Sequence, residues 1–383
     1  MTGIYLDNAA TTPLSQEVAD AMAPFLGDRW GNASSVHRRG VAAREAIDRA
    51  RAQVARSVGA SPGRVIFTGS GTEANNLALL GIMRAAGESA KRVLVGPTEH
   101  ASVRAAAHAL GEEGFEIHTG KLDDAGQLDL QELTDAADER VGLAAQMLVS
   151  NEFGSIYPTA QVARIVKSKA AHAWVHVDAI QALGKVSLSM LELGADSLAL
   201  SAHKIHGPQG VGALVLARDV QIRPLVFGGG QENGHRSGTE NLPAIVGFGC
   251  AAQLANERRA ATIELLSAHR QTLRLGLQAI DGLRVLEAAD ETAQQPGILS
   301  LLVPGAPAEV WLHHLDASGV TVSVGSACQA SKQEISPVLL AAGLDGKSAR
   351  QVLRLSIGDQ TTNTDIRTTL QVFESIAREL AHL

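Results

Sequence analysis

Residues 174–210 read WVHVDAIQALGKVSLSMLELGADSLALSAHKIHGPQG. Two short apolar runs stand out in this stretch, 174–178 and 197–200. The first ends on Asp178, with Gln181 three residues on. The second runs into Ser201-Ala202-His203-Lys204 and then the turn Gly207-Pro208-Gln209-Gly210. Runs of this length, apolar on both faces and bounded by turn formers, predict strands of a parallel sheet covered on both sides.

Working outward, further runs of the same kind fall at 65–68, 93–96, 145–150 and 213–217. Helix-like stretches lie between them at 72–86, 102–111 and 159–171. This alternation predicts an α/β fold with a mainly parallel, doubly wound sheet. The pattern changes near residue 257. A long helix is expected over 257–280, then shorter mixed segments such as 297–303, then a final helix over 365–383. Thr362 and Asp365 give that last helix a capping-box start. The expected division is a large α/β domain over 14–257. Residues 1–13 and 258–383 form a smaller α+β domain.

The bulk numbers agree with a large globular enzyme and exclude other classes. At roughly 150 residues per domain, 383 residues suggest two or three domains. Hydrophobic residues make up 45%, enough for sizeable cores, while charged residues are only 19%, below the usual quarter, which suits an oligomer. The net charge of −7 and 3% aromatics argue against a nucleic-acid surface, which needs a basic stripe or stacking platforms. Two cysteines, Cys250 and Cys328, do not make a disulfide framework and read as reduced thiols of a cytoplasmic protein. The N-terminal MTGIYLDNAATT has no signal-peptide pattern, and no apolar run is long enough to suggest a membrane span.

Open α/β sheets bind ligands beyond the carboxyl ends of their strands, so the residues after each run are the candidates. After 65–68 comes Gly69-Ser70-Gly71-Thr72-Glu73, a Gly-rich turn feeding a helix. Such a helix start attracts anions, and the Thr72 hydroxyl adds a donor; a tight turn with an N-cap reads equally well. His100 follows 93–96, and Asn151 follows 145–150. Taken singly, His100 reads first as a surface or capping residue and Asn151 as a turn residue. Asp178 ends an apolar strand, which is costly unless the carboxylate is paired. A pyridine nitrogen held protonated needs such an anion, and a structural hydrogen bond is the alternative. Lys204 at a dry strand end suits Schiff-base formation better than the solvated position lysines usually take.

The joint order is distinctive: Gly loop, His, Asn, Asp with Gln, then Ser-His-Lys. It resembles the class V aminotransferase group of fold-type I enzymes that use pyridoxal 5'-phosphate (PLP), from YLDNAATT at 5–12 to LRLSIG at 353–358. The resemblance implies that Lys204 carries the cofactor, Asp178 pairs with its ring nitrogen and Gln181 meets its ring oxygen. It implies that His100 stacks on the ring and that Thr72, Ser201 and His203 hold the phosphate. Thr239, in Arg236-Ser237-Gly238-Thr239, would complete the phosphate site of the other subunit of a homodimer.

Near the C-terminus stands Val324-Gly325-Ser326-Ala327-Cys328, a thiol among small residues, with Arg354 in Leu353-Arg354-Leu355-Ser356. A buried guanidinium suits a substrate carboxylate, held by a bidentate pair; a structural salt bridge is the alternative. These features with LDNAATT resemble the cysteine desulfurases, more narrowly those with an extended catalytic-cysteine loop. The resemblance implies that L-cysteine becomes L-alanine and that sulfur stays on Cys328 as a persulfide. An acceptor protein would carry it toward iron–sulfur clusters or thio-modified cofactors and nucleosides. Asn151 and Arg354 would bind the substrate. Cys328 must act as thiolate, and Lys332 is its nearest cation in sequence, so assistance from His100 is expected.

The chain departs from the family pattern at Gln329, Asp359 and 231–235, and its ending soon after the last helix suggests different acceptor docking. No metal site is expected: His172 and His176 are four apart, but 174–178 reads as a strand and there is no Glu-flanked HExxH. Rival readings are an aminotransferase, a selenocysteine lyase or a cystine lyase on the same scaffold, and a non-catalytic regulator that kept the cofactor. Cys328 separates the first group from a desulfurase; the intact set of Lys204, Asp178, Cys328 and Arg354 argues against the second.

Overall fold

The computed structural model describes residues 3–123, 126–287, 290–325 and 335–380. Cys328 and its neighbours Gln329 and Lys332 lie outside these residues.

A seven-stranded sheet dominates the fold. In chain order its strands are β2 (Val65–Thr68), β3 (Arg92–Val95), β4 (Glu116–Thr119), β5 (Val141–Met147), β6 (Trp174–Asp178), β7 (Ser197–Ser201) and β8 (Gly212–Leu216). Their spatial order is β2-β8-β7-β6-β5-β3-β4. All neighbours are parallel except β8, which runs antiparallel to both β2 and β7. The two-residue period of a strand explains the double cover. Val65, Phe67, Leu198, Leu200, Ala213 and Val215 feed one apolar core. Their neighbours Ile66, Ala199, Leu214 and Leu216 feed the core on the other face. The helices α2 (Arg38–Ser57) and α6 (Thr159–Lys169) pack on the first face, and α3 (Gly71–Ala85) and α4 (Ala101–Glu112) on the second.

Two expectations shift. The strand expected at 145–150 starts earlier, at Val141, because its ladder with β3 begins there, opposite Arg92. Its last residues instead enter the turn closed by Ser150 N–H to Ser155 O at 2.9 Å. Strand β4 was not expected at all. It is an edge strand of sequence EIHT with no fully buried position, so it carries no apolar signal.

A second, antiparallel sheet takes the order β12 (Ser323–Val324), β13 (Val352–Ser356), β10 (Ile298–Leu302), β9 (Arg284–Leu286). It packs with Trp311, Phe373 and Leu6 into a core of its own. The N-terminal strand β1 (Ile4–Tyr5) pairs in parallel with β11 (Val320–Thr321) on this side. The long helix expected from 257 starts at Leu242 and runs unbroken to Gln278. Its first part, through Phe248 and Ala252, packs in the large core, and Leu266, Leu273 and Leu277 pack in the small one. Between them no position is buried, which is why the sequence there looks like a boundary. The final helix spans Asn363–Leu380. Its capping box forms as expected: Thr362 N–H donates to Asp365 Oδ2 at 2.8 Å, and Asp365 N–H to Thr362 Oγ1 at 3.1 Å. Among the described residues no helix is long and apolar enough to cross a membrane.

Candidate active site

The carboxyl ends of β2, β3, β5, β6 and β7 open on one cavity of about 250 Å³. Thr72, His100, Asn151, Asp178, Gln181, Ser201, His203, Lys204 and Arg354 all line it. Nine side chains expected from scattered positions therefore share one site. Thr239 does not line it: it is exposed. Its loop sits near the α3 start, where Arg236 Nε meets Glu73 Oε1 at 2.8 Å.

Local structure explains each placement. Ser70 caps α3, its hydroxyl accepting from Glu73 N–H at 3.1 Å. The N–H groups of Gly71 and Thr72 belong to the first turn, which has no intrahelical acceptors. Gly71 is required by space: a Cβ there would lie 2.4 Å from Ile180 Cδ1 and 3.3 Å from Ser201 Cβ. Asp178 is 5% exposed and stays paired, as a strand-end carboxylate must. Its Oδ1 accepts from Ile180 N–H at 3.0 Å and its Oδ2 from Asn75 Nδ2 at 2.8 Å. Lys204 ends a single 3₁₀ turn, Ala202–Lys204, and donates to the carbonyls of Ala9 and Ala10, both at 2.6 Å. Gln181 Nε2 also donates to Ala9 O, at 2.9 Å. The LDNAATT segment thus forms a wall of the site, a role its sequence alone did not disclose.

His100 is both a capping residue and a cavity residue. Its Nδ1 accepts the Ser102 N–H at 3.1 Å, and burial is the largest influence holding its pKa down. Burial also lowers His203 to about 4, reinforced by Lys204 and Lys185, so it is neutral at neutral pH. Its Nδ1 lies 3.1 Å from Thr11 Oγ1. Arg354 is 2% exposed; it donates to Asp7 Oδ1 at 2.7 Å and to Asn151 O at 2.9 Å. The structural salt bridge weighed for it is present, yet the guanidinium still lines the cavity.

Sequence reasoning passed over two carboxyls and an amide. Glu99 is fully buried; Oε1 accepts the Met147 N–H, and Oε2 has no partner among the described residues. Burial, then repulsion from Asp178, pushes its pKa up to about 8. Glu152 is buried and raised by the same cause, and accepts from Ser336 Oγ at 2.8 Å. Both directly adjoin a residue that was singled out, and both follow an apolar strand, the signal that marked Asp178. Asn75 lies inside α3, where nothing local distinguishes it. His176, weighed as a metal ligand, is buried between Ser197 Oγ at 2.9 Å and Asn75 Oδ1 at 3.0 Å. Cys250 is half-buried on the long helix, packed against the large core.

Comparison with known proteins identifies the family. The family model for aminotransferase class-V matches residues 4–368. A cysteine desulfurase IscS from Dictyoglomus turgidum is 38% identical over 383 residues, which is 98% of this chain and 95% of that protein. A cysteine desulfurase from Cereibacter sphaeroides is 38% identical over 386 residues, covering 100% of this chain and 98% of the relative. A solved structure described as a NifS-like protein superposes with a TM-score of 0.93 at 33% identity, covering 100% of both chains.

Proposed function

We propose residue roles from one premise: this chain belongs to the aminotransferase class-V family and, within it, to the PLP-dependent cysteine desulfurases. The observation that carries the roles is the convergence of Lys204, Asp178 and Arg354 on one cavity.

The residues present fit the cofactor. Ser201 Oγ and Gln181 Oε1 are buried polar atoms without partners among the described residues, and both residues line the cavity. Such atoms are costly unless a bound group satisfies them. Ser201, His203, Thr72 and the α3 start would hold the phosphate, Gln181 the ring oxygen and Asp178 the ring nitrogen. Lys204 would hold the group covalently, and His100 would lie against its face. When bound, PLP supplies an electron sink at the substrate α-carbon.

The chain's own groups do the remaining work. Arg354 and Asn151 orient L-cysteine through its carboxylate. The Lys204 amine, once displaced by the substrate amine, accepts the α-proton at Nζ. The Cys328 thiolate attacks the substrate sulfur. The new S–S bond forms as the C–S bond breaks, and its electron pair stays on the carbon that becomes alanine. The balance is L-cysteine and the Cys328 thiol going to L-alanine and the Cys328 persulfide. An acceptor protein then takes that sulfur. His100 carries protons in the same cavity, including those exchanged with the Cys328 thiol; an unchanged pH profile of persulfide formation in His100→Ala would reject that role.

The exposed Thr239, three residues after the Arg236 that pairs with Glu73, suits a phosphate contact in the second subunit of a homodimer. The working division is 14–257 against 1–13 with 258–383, joined by the long helix. The two thiols suit a cytoplasmic setting. The test is stoichiometric: one alanine and one Cys328 persulfide per L-cysteine consumed in a single turnover. Cys328→Ala should keep the cofactor and make neither product. Alanine formation at the original rate in that variant would overturn the reading.

A further inference from the structure

A second cavity, of about 340 Å³, lies where the N-terminal segment, the long helix and the loop after β13 come together. Leu183, Ala251, Leu254, Leu266 and Ile357 give it an apolar wall. Its size falls in the range of small-molecule sites, which join such walls to a few polar groups.

The charged groups that line it are engaged elsewhere, with one exception. Arg258 Nη2 meets Glu17 Oε1 at 2.8 Å, and His206 Nε2 meets Asp359 Oδ1 at 3.1 Å. Lys204 donates to the carbonyls of Ala9 and Ala10. Lys185 makes no hydrogen bond or ion pair among the described residues. It is partly buried and lines the cavity. Loss of hydration is the largest influence on its amine and brings the pKa down to about 8, with Asp359 pulling the other way. At neutral pH the amine is therefore still mostly charged.

We propose that this cavity is a second binding site, separate from the candidate active site, for a small aliphatic monocarboxylate whose oxygens take the Lys185 amine. The proposal does not rest on the residue roles given above.

The ligand class follows from charge and surface together. A cation withdrawn from water without a partner is costly, and an anion beside it removes that cost. One negative charge balances Lys185. A dianion such as phosphate would leave a charge over, in a cavity already lined by the carboxylates of Glu17 and Asp359. A carboxylate also accepts from an ammonium group at both oxygens, and such charge-assisted bonds are the strong ones. The leucine and isoleucine side chains opposite suit a short hydrocarbon body, which loses hydration on entering. Lys204 lines this cavity as well as the first, so an occupant would rest against the turn that carries it.

The test is calorimetric titration of the PLP-loaded full chain with isovalerate at neutral pH. Binding should saturate with a Kd below about 30 mM, the weak end of ligand efficiency for a molecule of this size. Isovaleramide, which has the same body without the charge, should bind at least about tenfold more weakly. Lys185→Met should weaken isovalerate by about tenfold or more, the usual scale of a hydrogen bond to a charged group. Thr262→Phe, which fills the cavity from the long helix and leaves the lysine in place, should remove binding and serves if Lys185→Met does not fold. Arg354→Lys should leave the affinity unchanged. Absence of saturable isovalerate binding, equal affinity for the amide, or wild-type affinity in Lys185→Met or Thr262→Phe overturns the proposal. Loss in Arg354→Lys with retention in Lys185→Met also overturns it, by placing the anion in the first cavity.

Discussion

Arg354 donates from Nη2 to Asp7 Oδ1 at 2.7 Å, linking residues 347 positions apart in the chain. Its Nη1 is taken by the Asn151 carbonyl, and its Nε has no partner among the described residues. In the proposed role, a substrate carboxylate entering here would meet a guanidinium already oriented by Asp7 and Asn151. Such an arrangement is pre-organised, so little ordering is left to the substrate.

Arg354→Lys should therefore raise KM for L-cysteine by about tenfold or more while lowering kcat much less, because an ammonium cannot reproduce the planar fork. Steady-state kinetics across cysteine concentrations checks this. A fall confined to kcat would place Arg354 elsewhere in the reaction.

Lys204→Ala should abolish turnover and the visible absorption band of covalently held PLP. Fluorescence titration should still detect binding of the free cofactor, since Asp178, Ser201 and the α3 start remain in place. A retained visible band would mean that another amine holds the cofactor.

Glu99 gives a pH prediction. Its carboxyl is raised from 4.5 to about 8 in the folded chain. Between those values the folded state holds a proton the unfolded state has lost, so stability falls as pH rises across the window. The contribution is fully present below 4.5 and is gone above 8. His203 and His176, lowered to about 4 and about 3, act in the opposite sense only up to their ordinary value of 6.5. From pH 6.5 to 8 the Glu99 slope should therefore stand alone among these three groups. Apoprotein melting temperature should drop over that range, and Glu99→Gln should flatten the drop. Equal slopes for the two proteins would show that Glu99 is ionised well below 8.

Gly71→Ala should destabilise the fold by about 1–3 kcal/mol, the usual scale for forcing a methyl into a filled site. The new Cβ would press on Ile180 and Ser201, both lining the cavity. Phosphate-dependent cofactor affinity should fall with it. Unchanged melting and unchanged affinity would show that Ile180 yields without effect.

Much of the fold and site could be read from residue order alone. Apolar runs ending on Asp178 and on Ser201-Ala202-His203-Lys204 sufficed because a parallel sheet delivers every strand's carboxyl end to one edge. Where patterning was silent, reading failed: β4 shows no apolar periodicity, and the long helix hides its continuity beneath a solvent-exposed middle. The thiol of Cys328 is legible as chemistry but lies outside the described residues.

By itself, then, the sequence determined which chemical groups the strand ends present and hence the class of chemistry. Tertiary structure alone decided their partners and charge states. Asn75 meets Asp178 across 103 residues, and Arg354 meets Asp7 across 347. Glu99 and Glu152 each follow an apolar strand, but that they are buried and raised shows only in the fold. The physical reason is that identity and periodicity are local properties of a chain. Desolvation and hydrogen-bond pairing depend on distances in space, set only once both cores have closed around the site.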